Sequence, residues 1–300
     1  MRAIIAGSRG LRIEAVAEPA PSPGEALVRV AAISLNRGEV KRALAATADW
    51  RPGWDAAGTV AVPAADGSGP HAGARVVGLV PSGAWAELVA VPTHSLAEVP
   101  AGVSPQQAAT LPVAGLTALH AIYQGGSLLG RRVLVTGATG GVGLFACQLA
   151  RLSGADAAGL VRSHPEVVAA TGAEPITDVG ARAPYHLIVE SVGGRTLAAA
   201  LAALAQDGVC VSFGTSESST ATLDVGGFFR VGGPRLFGLV LTHELRRESA
   251  AVGLGRLLRL IDEGRLKTSV EVAAPWTEVA ALAADLIDRR FAGKAVLEVA

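Results

Sequence analysis

Hydrophobic residues up to about Pro100 occur in short runs that glycine and proline interrupt. Four of these runs predict short β-strands, at 26–35, 56–62, 74–80 and 84–91. Beyond Ser104 the apolar residues recur with helical spacing, and Ser104 followed by Pro105 is typical of an N-cap and a first helical residue. From Arg132 onward strand-like and helix-like segments alternate, which predicts βαβ units and a parallel sheet.

The last part of the chain again contains short strand-like segments, as the first third does. A helix-like segment at 248–266 is followed by a strand-like segment at 270–276, a further helix and a final apolar segment at 295–300. The sequence therefore predicts an α/β protein in which a mostly β part and a parallel-sheet part are separate.

The segment from Arg132 to Ala150 carries the strongest motif. A strand-like run is followed by a glycine-rich loop, and a helix begins within that loop. The loop residues are Gly137, Ala138, Thr139, Gly140, Gly141, Val142 and Gly143. Glycine permits a positive φ and lets the backbone approach a pyrophosphate, and the helix N-terminus offers N–H groups to the anion. Because the motif follows a strand and opens a helix, we predict a dinucleotide site rather than a turn without a ligand.

The end of the next predicted strand bears on which dinucleotide binds. An NAD site normally has an acidic residue about 20 residues beyond the loop, where it binds the ribose 2′-OH. Here Val161 is followed by Arg162 and Ser163. A base and a hydroxyl suit a 2′-phosphate, so NADPH is the predicted cofactor. The alternative is that Arg162 is only a solvated surface charge.

Several segments together resemble a known family. They are TGATGGVGLFACQLARLSGA, GWDAAGTV, LPVAGLTALHAI, ESVGG, VSFGT and GKAVLEV. The chain resembles the medium-chain dehydrogenase/reductase superfamily from about Ser34 to its end, most of all the zinc-free quinone oxidoreductase branch. The resemblance implies a GroES-like, mostly β catalytic domain at 1–111 and 244–300, and a Rossmann domain with a doubly wound parallel sheet at 112–243. It also implies a homodimer, for which 235–241 is the candidate edge strand.

Zinc-dependent relatives carry Gly-His-Glu where this chain has Gly53-Trp54-Asp55, and no cysteine precedes Cys147. A catalytic zinc needs about three protein ligands, so no metal is expected, and Asp55 is interpreted as a structural acid. Without that Lewis acid, reduction of an activated C=C bond or a quinone is easier than oxidation of a plain alcohol. The predicted function is therefore an NADPH-dependent reductase of quinones or α,β-unsaturated carbonyl compounds.

Further site residues follow from the resemblance. Asn36 matches an asparagine of the quinone reductases, and Lys41 takes a position where a pocket tyrosine is frequent. Both are the predicted catalytic hydrogen-bond donors, against the alternatives of a turn-capping asparagine and a solvated lysine. The resemblance and the strand ends also predict cofactor contacts at Thr117, Val192, Gly214 and Thr215. Lys294 matches a frequent family lysine, and the sequence suggests no role for it.

The charge balance and the cysteine content indicate which partners and which compartment to expect. The 26 basic and 26 acidic side chains balance, which does not favour a nucleic-acid or membrane surface. Two cysteines in apolar runs favour a reducing compartment, so we expect a cytoplasmic protein with a small-molecule substrate. Two alternatives remain open: an enoyl-thioester reductase of a polyketide or lipid pathway, and a non-catalytic dinucleotide-binding protein with a structural or regulatory role.

Overall fold

The computed structural model describes residues 1–299 of the 300-residue chain. It divides into two compact units. The first unit contains residues 1–116 and the chain from Glu248 onward, and the second contains Thr117–Arg247. The sequence analysis placed the boundaries at 111/112 and 243/244. Among the described residues, no helix is long and apolar enough to cross a membrane.

The strands are β1 (Arg2–Gly7), β2 (Gly10–Ala15), β3 (Glu25–Ser34), β4 (Asp55–Val62), β5 (Arg75–Leu79), β6 (Leu88–Pro92), β7 (Leu96–Glu98), β8 (Arg132–Val135), β9 (Asp156–Leu160), β10 (Glu174–Ile176), β11 (Tyr185–Glu190), β12 (Leu204–Ser212), β13 (Arg235–Gly238), β14 (Val270–Pro275) and β15 (Lys294–Glu298). The helices are α1 (Arg37–Leu44), α2 (Pro105–Ala109), α3 (Leu116–Tyr123), α4 (Gly141–Leu152), α5 (Pro165–Ala169), α6 (Gly194–Ala202), α7 (Val225–Arg230), α8 (Leu241–Glu244), α9 (Ala250–Asp262) and α10 (Val279–Asp288).

The first unit is built on a seven-stranded sheet. Its order is β14-β15-β3-β4-β5-β7, with β6 also paired to β3, and a separate hairpin joins β1 to β2. All pairs are antiparallel except β14 with β15. Strand β15 lies beside β3, with Val296 opposite Ser34. The C-terminal segment therefore completes the domain that the N-terminal segment begins, as the resemblance implied.

The core of this unit contains residues of the seven-stranded sheet, of the β1–β2 hairpin and of helices α1 and α10. Trp85 and Trp276 are among its largest fully buried side chains, together with Ile4 and Ile33. Helix α1 was not predicted. It has only eight residues, and its buried face includes a glutamate besides two apolar residues, so its apolar periodicity is too short to recognise in the sequence.

The second unit contains a six-stranded sheet in the order β10-β9-β8-β11-β12-β13. Every neighbouring pair is parallel. The buried apolar core includes Leu134, Ile188 and Cys210 from three adjacent strands. This arrangement confirms the predicted doubly wound parallel sheet, whose ligands bind beyond the carboxyl ends of the strands.

Two predicted helices differ from the structure. The alternating segments after Arg132 include a helix-like one at 195–206, but α6 ends at Ala202, because Leu204 already belongs to β12 and pairs with Tyr185. The helical segment after Ser104 is interrupted by a π-helical turn at Leu111–Gly115. Pro112 lies in that turn, and proline has no N–H for the regular helical ladder.

Candidate functional site

The first unit holds a group of buried polar side chains where β3 ends and α1 begins. We call it the buried polar cluster, and its members are Ser34, Asn36, Glu39, Asp55 and Lys294. Each is at most 9% exposed. They come from β3, the start of α1, the first residue of β4 and the first residue of β15, so the sheet register brings residues together that are far apart in sequence.

Asp55 accepts the most hydrogen bonds in the cluster. Its Oδ2 accepts from Ser34 Oγ at 2.6 Å and from Asn36 Nδ2 at 2.8 Å. Its Oδ1 accepts from the backbone N–H of Val113 at 3.0 Å, a donor in the π-helical turn. Lys294 Nζ lies 3.7 Å from Oδ2. Asp55 therefore has the contacts of a structural acid that joins β4 to the following helical segment.

The side-chain amide of Asn36 is engaged at both ends. Its Oδ1 accepts from Lys294 Nζ at 2.6 Å, while Nδ2 donates to Asp55 and, at 3.3 Å, to Glu39 Oε2. The residue is also the N-cap of α1. Since an amide nitrogen has two hydrogens, donation to a ligand requires Asn36 to give up the longer bond to Glu39.

Lys41, the second predicted catalytic residue, lies elsewhere. It is on α1 with an exposed side chain, and it is not a member of the buried polar cluster. Its catalytic role stays a prediction, as does that of Asn36.

Burial shifts the titration of the three ionisable groups in the cluster. Burial, together with the nearby charge of Asp55, raises the pKa of Glu39 well above its usual range. Burial also raises the pKa of Asp55, and Lys294 opposes that rise. Because Asp55 accepts three hydrogen bonds while Glu39 Oε1 is buried without a partner, we assign the negative charge to Asp55 and the proton to Glu39.

The glycine loop of the second unit, residues 137–143, follows β8 and leads into α4. Gly137 has a φ of 57°, a conformation that glycine adopts without cost. A Cβ on Gly143 would lie 2.7 Å from Ala138 Cα and closer still to the carbonyl oxygen of Gly137. A Cβ on Gly140 would meet only that carbonyl oxygen, at 3.3 Å. Gly143 therefore serves packing, and Gly140 leaves space above the loop.

This loop has the features of an anion cradle. Helix α4 begins at Gly141 with Gly140 as its N-cap, and the N–H groups of a first helical turn have no intrahelical acceptor. Such N–H groups and the helix dipole favour a phosphate. The residues present thus fit the pyrophosphate of a dinucleotide.

Glu190 organises the strand ends beside the loop, and the sequence analysis missed it. Its Oε1 accepts from the backbone N–H groups of Val192 and Gly193 at 2.7 and 2.9 Å, and from Thr136 Oγ1 at 3.3 Å. It is fully buried at the carboxyl end of β11. A carboxylate that ends an apolar strand in ESVGG is the signal that reveals it.

The other predicted cofactor contacts all lie in the second unit. Arg162 and Ser163 are exposed just beyond β9. Val192 follows β11 and is buried, while Gly214 and Thr215 follow β12, with Thr215 exposed. Each of these residues comes after the carboxyl end of a parallel strand, the edge where ligands of such sheets bind.

Thr117 is in a different setting from the strand-end residues. It lies within α3 and is buried. Its predicted contact with the cofactor stays a prediction.

Comparison with known proteins supports the class that this fold defines. The model of the alcohol dehydrogenase GroES-like domain matches residues 22–101, and that of a zinc-binding dehydrogenase matches residues 164–297. The chain is 30% identical over 237 residues to a quinone oxidoreductase of Pseudomonas aeruginosa, which is 72% of either protein. A mycobacterial protein solved in complex with NADPH has a TM-score of 0.89 at 26% identity, covering 99% of this chain and 100% of that one.

A third relative is a much longer protein. The chain is 33% identical over 231 residues to an erythronolide synthase of Saccharopolyspora erythraea, which is 68% of this chain and 6% of that protein.

The fold and the glycine loop define the class of protein: it is a dinucleotide-dependent oxidoreductase built from two units. The chain belongs to the medium-chain dehydrogenase/reductase superfamily, in its quinone oxidoreductase-like branch.

The name of one matching model implies zinc, and the buried polar cluster allows a test of that implication. Its oxygen atoms include those of the Glu39 and Asp55 carboxyl groups, but Lys294 Nζ lies 3.7 Å from the Asp55 carboxylate and 2.6 Å from Asn36 Oδ1. An ammonium among the donors repels a metal cation, and zinc prefers sulfur and imidazole ligands. In the described part of the chain, no group of three His, Cys, Asp or Glu side chains has metal-binding geometry. The cluster does not fit zinc.

Proposed function

We propose that the chain reduces quinones or α,β-unsaturated carbonyl compounds with NADPH and without zinc. The observation that carries this proposal is Lys294 Nζ within the buried polar cluster, where its charge disfavours a Lewis-acid metal. The glycine loop supports the use of a dinucleotide, and Arg162 with Ser163 beyond β9 supports the choice of NADPH.

NADPH, when bound, supplies a hydride to the β-carbon of an enone or to a quinone ring. Negative charge then develops on the carbonyl oxygen, and one proton from water completes the reduction. Hydrogen-bond donors aimed at that oxygen stabilise the charge. Asn36 is the proposed donor, through the Nδ2 hydrogen that otherwise contacts Glu39. Lys41 has the lesser proposed role because its side chain is exposed, where a donor is worth less than in a dry site.

A screen of NADPH oxidation over quinones, enals, enones, enoyl thioesters and plain ketones tests the proposal. We expect turnover of the conjugated compounds, no turnover of plain ketones, and no loss of activity after treatment with a chelator. Activity that a chelator removes and zinc restores would contradict the proposal.

An enoyl-thioester reductase is the second candidate, and the similarity to an erythronolide synthase supports it. The chemistry is the same, since an enoyl thioester is also conjugated to a carbonyl group. The two candidates differ in the substrate, so a kcat/KM for enoyl thioesters far above that for simple quinones would favour the second.

We also propose that the protein forms a homodimer through β13. This edge strand has exposed apolar residues in and beside it, of which Leu236 is 47% and Val240 is 61% exposed. Exposed edge strands pair readily with another strand. Sedimentation of the wild type should give a dimer, and Leu236→Lys should give a monomer. For its location we propose the cytoplasm, because Cys147 and Cys210 are free buried thiols.

A further inference from the structure

Lys294 is a lysine in a place where lysines are rarely found. Its side chain is 4% exposed, and its backbone N–H donates at 2.8 Å to the carbonyl oxygen of Ser269, the residue before β14. Its Nζ donates to Leu35 O at 2.9 Å and to Asn36 Oδ1 at 2.6 Å. Fully buried lysines are uncommon unless they are paired, so this ammonium has a specific task.

The bonds around Asn36 determine which way its amide faces. Lys294 Nζ is a donor only, so it requires the amide oxygen on its side. The carboxylate of Asp55 and the carboxyl group of Glu39 accept Nδ2 hydrogens on the other side, at 2.8 and 3.3 Å. A rotation of the amide by half a turn would set NH₂ against the ammonium and the carbonyl oxygen against the Asp55 carboxylate.

Lys294 also balances the charge of the cluster. The ionisable groups that face it are Glu39 from α1 and Asp55 from β4. Without the ammonium, the negative charge of Asp55 would stay buried, and no donor would hold Asn36 Oδ1. The amide would then be held from the Asp55 side alone, and its orientation would be less firmly fixed.

We propose that Lys294 is a positioning residue that fixes the orientation of the Asn36 amide, and that it affects hydride transfer only through Asn36. This proposal rests on the proposed function, in which Asn36 donates to the substrate oxygen.

A double-mutant cycle on the hydride step tests the proposal. The single-turnover rate with NADPH and its deuterated form is measured for wild type, Asn36→Ala, Lys294→Met and the double variant. We expect Asn36→Ala to slow the step by about 10²-fold, the effect of losing one preorganised donor. Lys294→Met should slow it by less, because the donor remains but its orientation is no longer fixed. The double variant should be no slower than Asn36→Ala. Lys267→Met, the loss of an exposed lysine in the same unit, is the control and should leave the rate unchanged.

Effects that multiply in the double variant, or a Lys294→Met protein with the wild-type rate, would overturn the proposal. Should Lys294→Met fail to fold, Lys294→Gln takes its place, because a glutamine NH₂ still donates to Asn36 Oδ1 without a charge. Lys294→Gln should lose less rate than Asn36→Ala, and in the Asn36→Ala background it should cause no further loss.

A second readout needs no turnover and separates this proposal from the proposed function. The side-chain NH₂ signals of Asn36 in an NMR spectrum are assigned by their loss in Asn36→Ala. In Lys294→Met they should shift or broaden as the amide loses its fixed orientation, and in Lys294→Gln, which keeps a donor to Asn36 Oδ1, they should change less. Unchanged signals would overturn the positioning role, whatever the substrate. A protein that shifts these signals but reduces no conjugated compound would refute only the proposed function.

Discussion

The buried polar cluster of the first unit and the glycine loop of the second unit differ in how their polar groups are paired. In the cluster, charged side chains are fully buried, and the chain itself supplies most of their partners. In the loop, hardly any polar side chain takes part, and the backbone of α4 presents first-turn N–H groups that have no intrahelical acceptor. Changes in the cluster should therefore appear first in folding stability, whereas changes in the loop should appear first in cofactor binding.

The largest effect is expected for Asp55→Asn. The substitution keeps the shape but leaves Lys294 without its counterion and sets an NH₂ group against the donors of Ser34 and Asn36. Loss of one partner from a buried ion pair costs about 3–5 kcal/mol. Asp49→Asn is the control, since Asp49 is 55% exposed and pairs with Arg12 at the surface, where the cost is at most about 1 kcal/mol. Urea unfolding measures both, and equal losses would mean that the cluster contributes no more than a surface pair.

Arg162→Ala tests whether a change at the cofactor site affects NADPH binding without affecting folding stability. A charge-assisted hydrogen bond to a 2′-phosphate is worth about 1.5–3 kcal/mol, or roughly 10–150-fold in affinity. We expect NADPH affinity to fall by that factor, while NADH affinity and the melting temperature stay unchanged. Arg151→Ala, at the opposite end of α4, should leave both dissociation constants as they are. A variant that keeps the wild-type preference for NADPH would make Arg162 a solvated surface charge.

Two glycines of the loop should separate packing from binding. Gly143→Ala forces a Cβ against backbone atoms, and such overpacking costs about 1–3 kcal/mol, so both the melting temperature and NADPH affinity should fall. Gly140→Ala meets one atom at 3.3 Å but fills the space over the loop. It should weaken NADPH binding with little change in melting temperature. A Gly140→Ala protein that binds NADPH normally would contradict the cradle.

The effect of Glu39→Gln depends on pH and is the smallest of these near pH 4. Because burial raises the pKa of Glu39 in the folded protein, the folded state holds this proton more tightly than the unfolded state. The contribution of Glu39 to the free energy of unfolding is fully present below the pKa that Glu39 has in the unfolded chain. It decreases as the pH rises toward the pKa of Glu39 in the folded protein, by up to about 1.4 kcal/mol per pH unit. The introduced glutamine mimics the protonated acid, so the variant should match wild type at pH 4 and exceed it increasingly toward pH 8. A constant difference across that range would show that Glu39 is ionised in the folded protein.

Local patterns in the sequence predicted the parallel sheet and the glycine loop of the second unit. The alternation of strands and helices after Arg132, the glycine loop and the residues that follow each strand all lie within a few positions of one another, so short-range periodicity and turn chemistry predict them. The exceptions are also local in origin. In this unit the early start of β12 shortens α6, because strand pairing competes with helical propensity. In the first unit, Pro112 lies in the π-helical turn that interrupts a predicted helix.

The buried polar cluster was decided by tertiary structure. The sequence alone suggested Asn36 as a donor and Asp55 as a structural acid, but it offered no role for Lys294 and did not single out Glu39. The hydrogen bond from Lys294 to Leu35 spans 259 positions, and only the pairing of β15 with β3 brings these segments together. Sequence periodicity indicates which face of an element is buried, whereas the partner of a buried charge depends on sheet register between distant segments, which no local pattern contains.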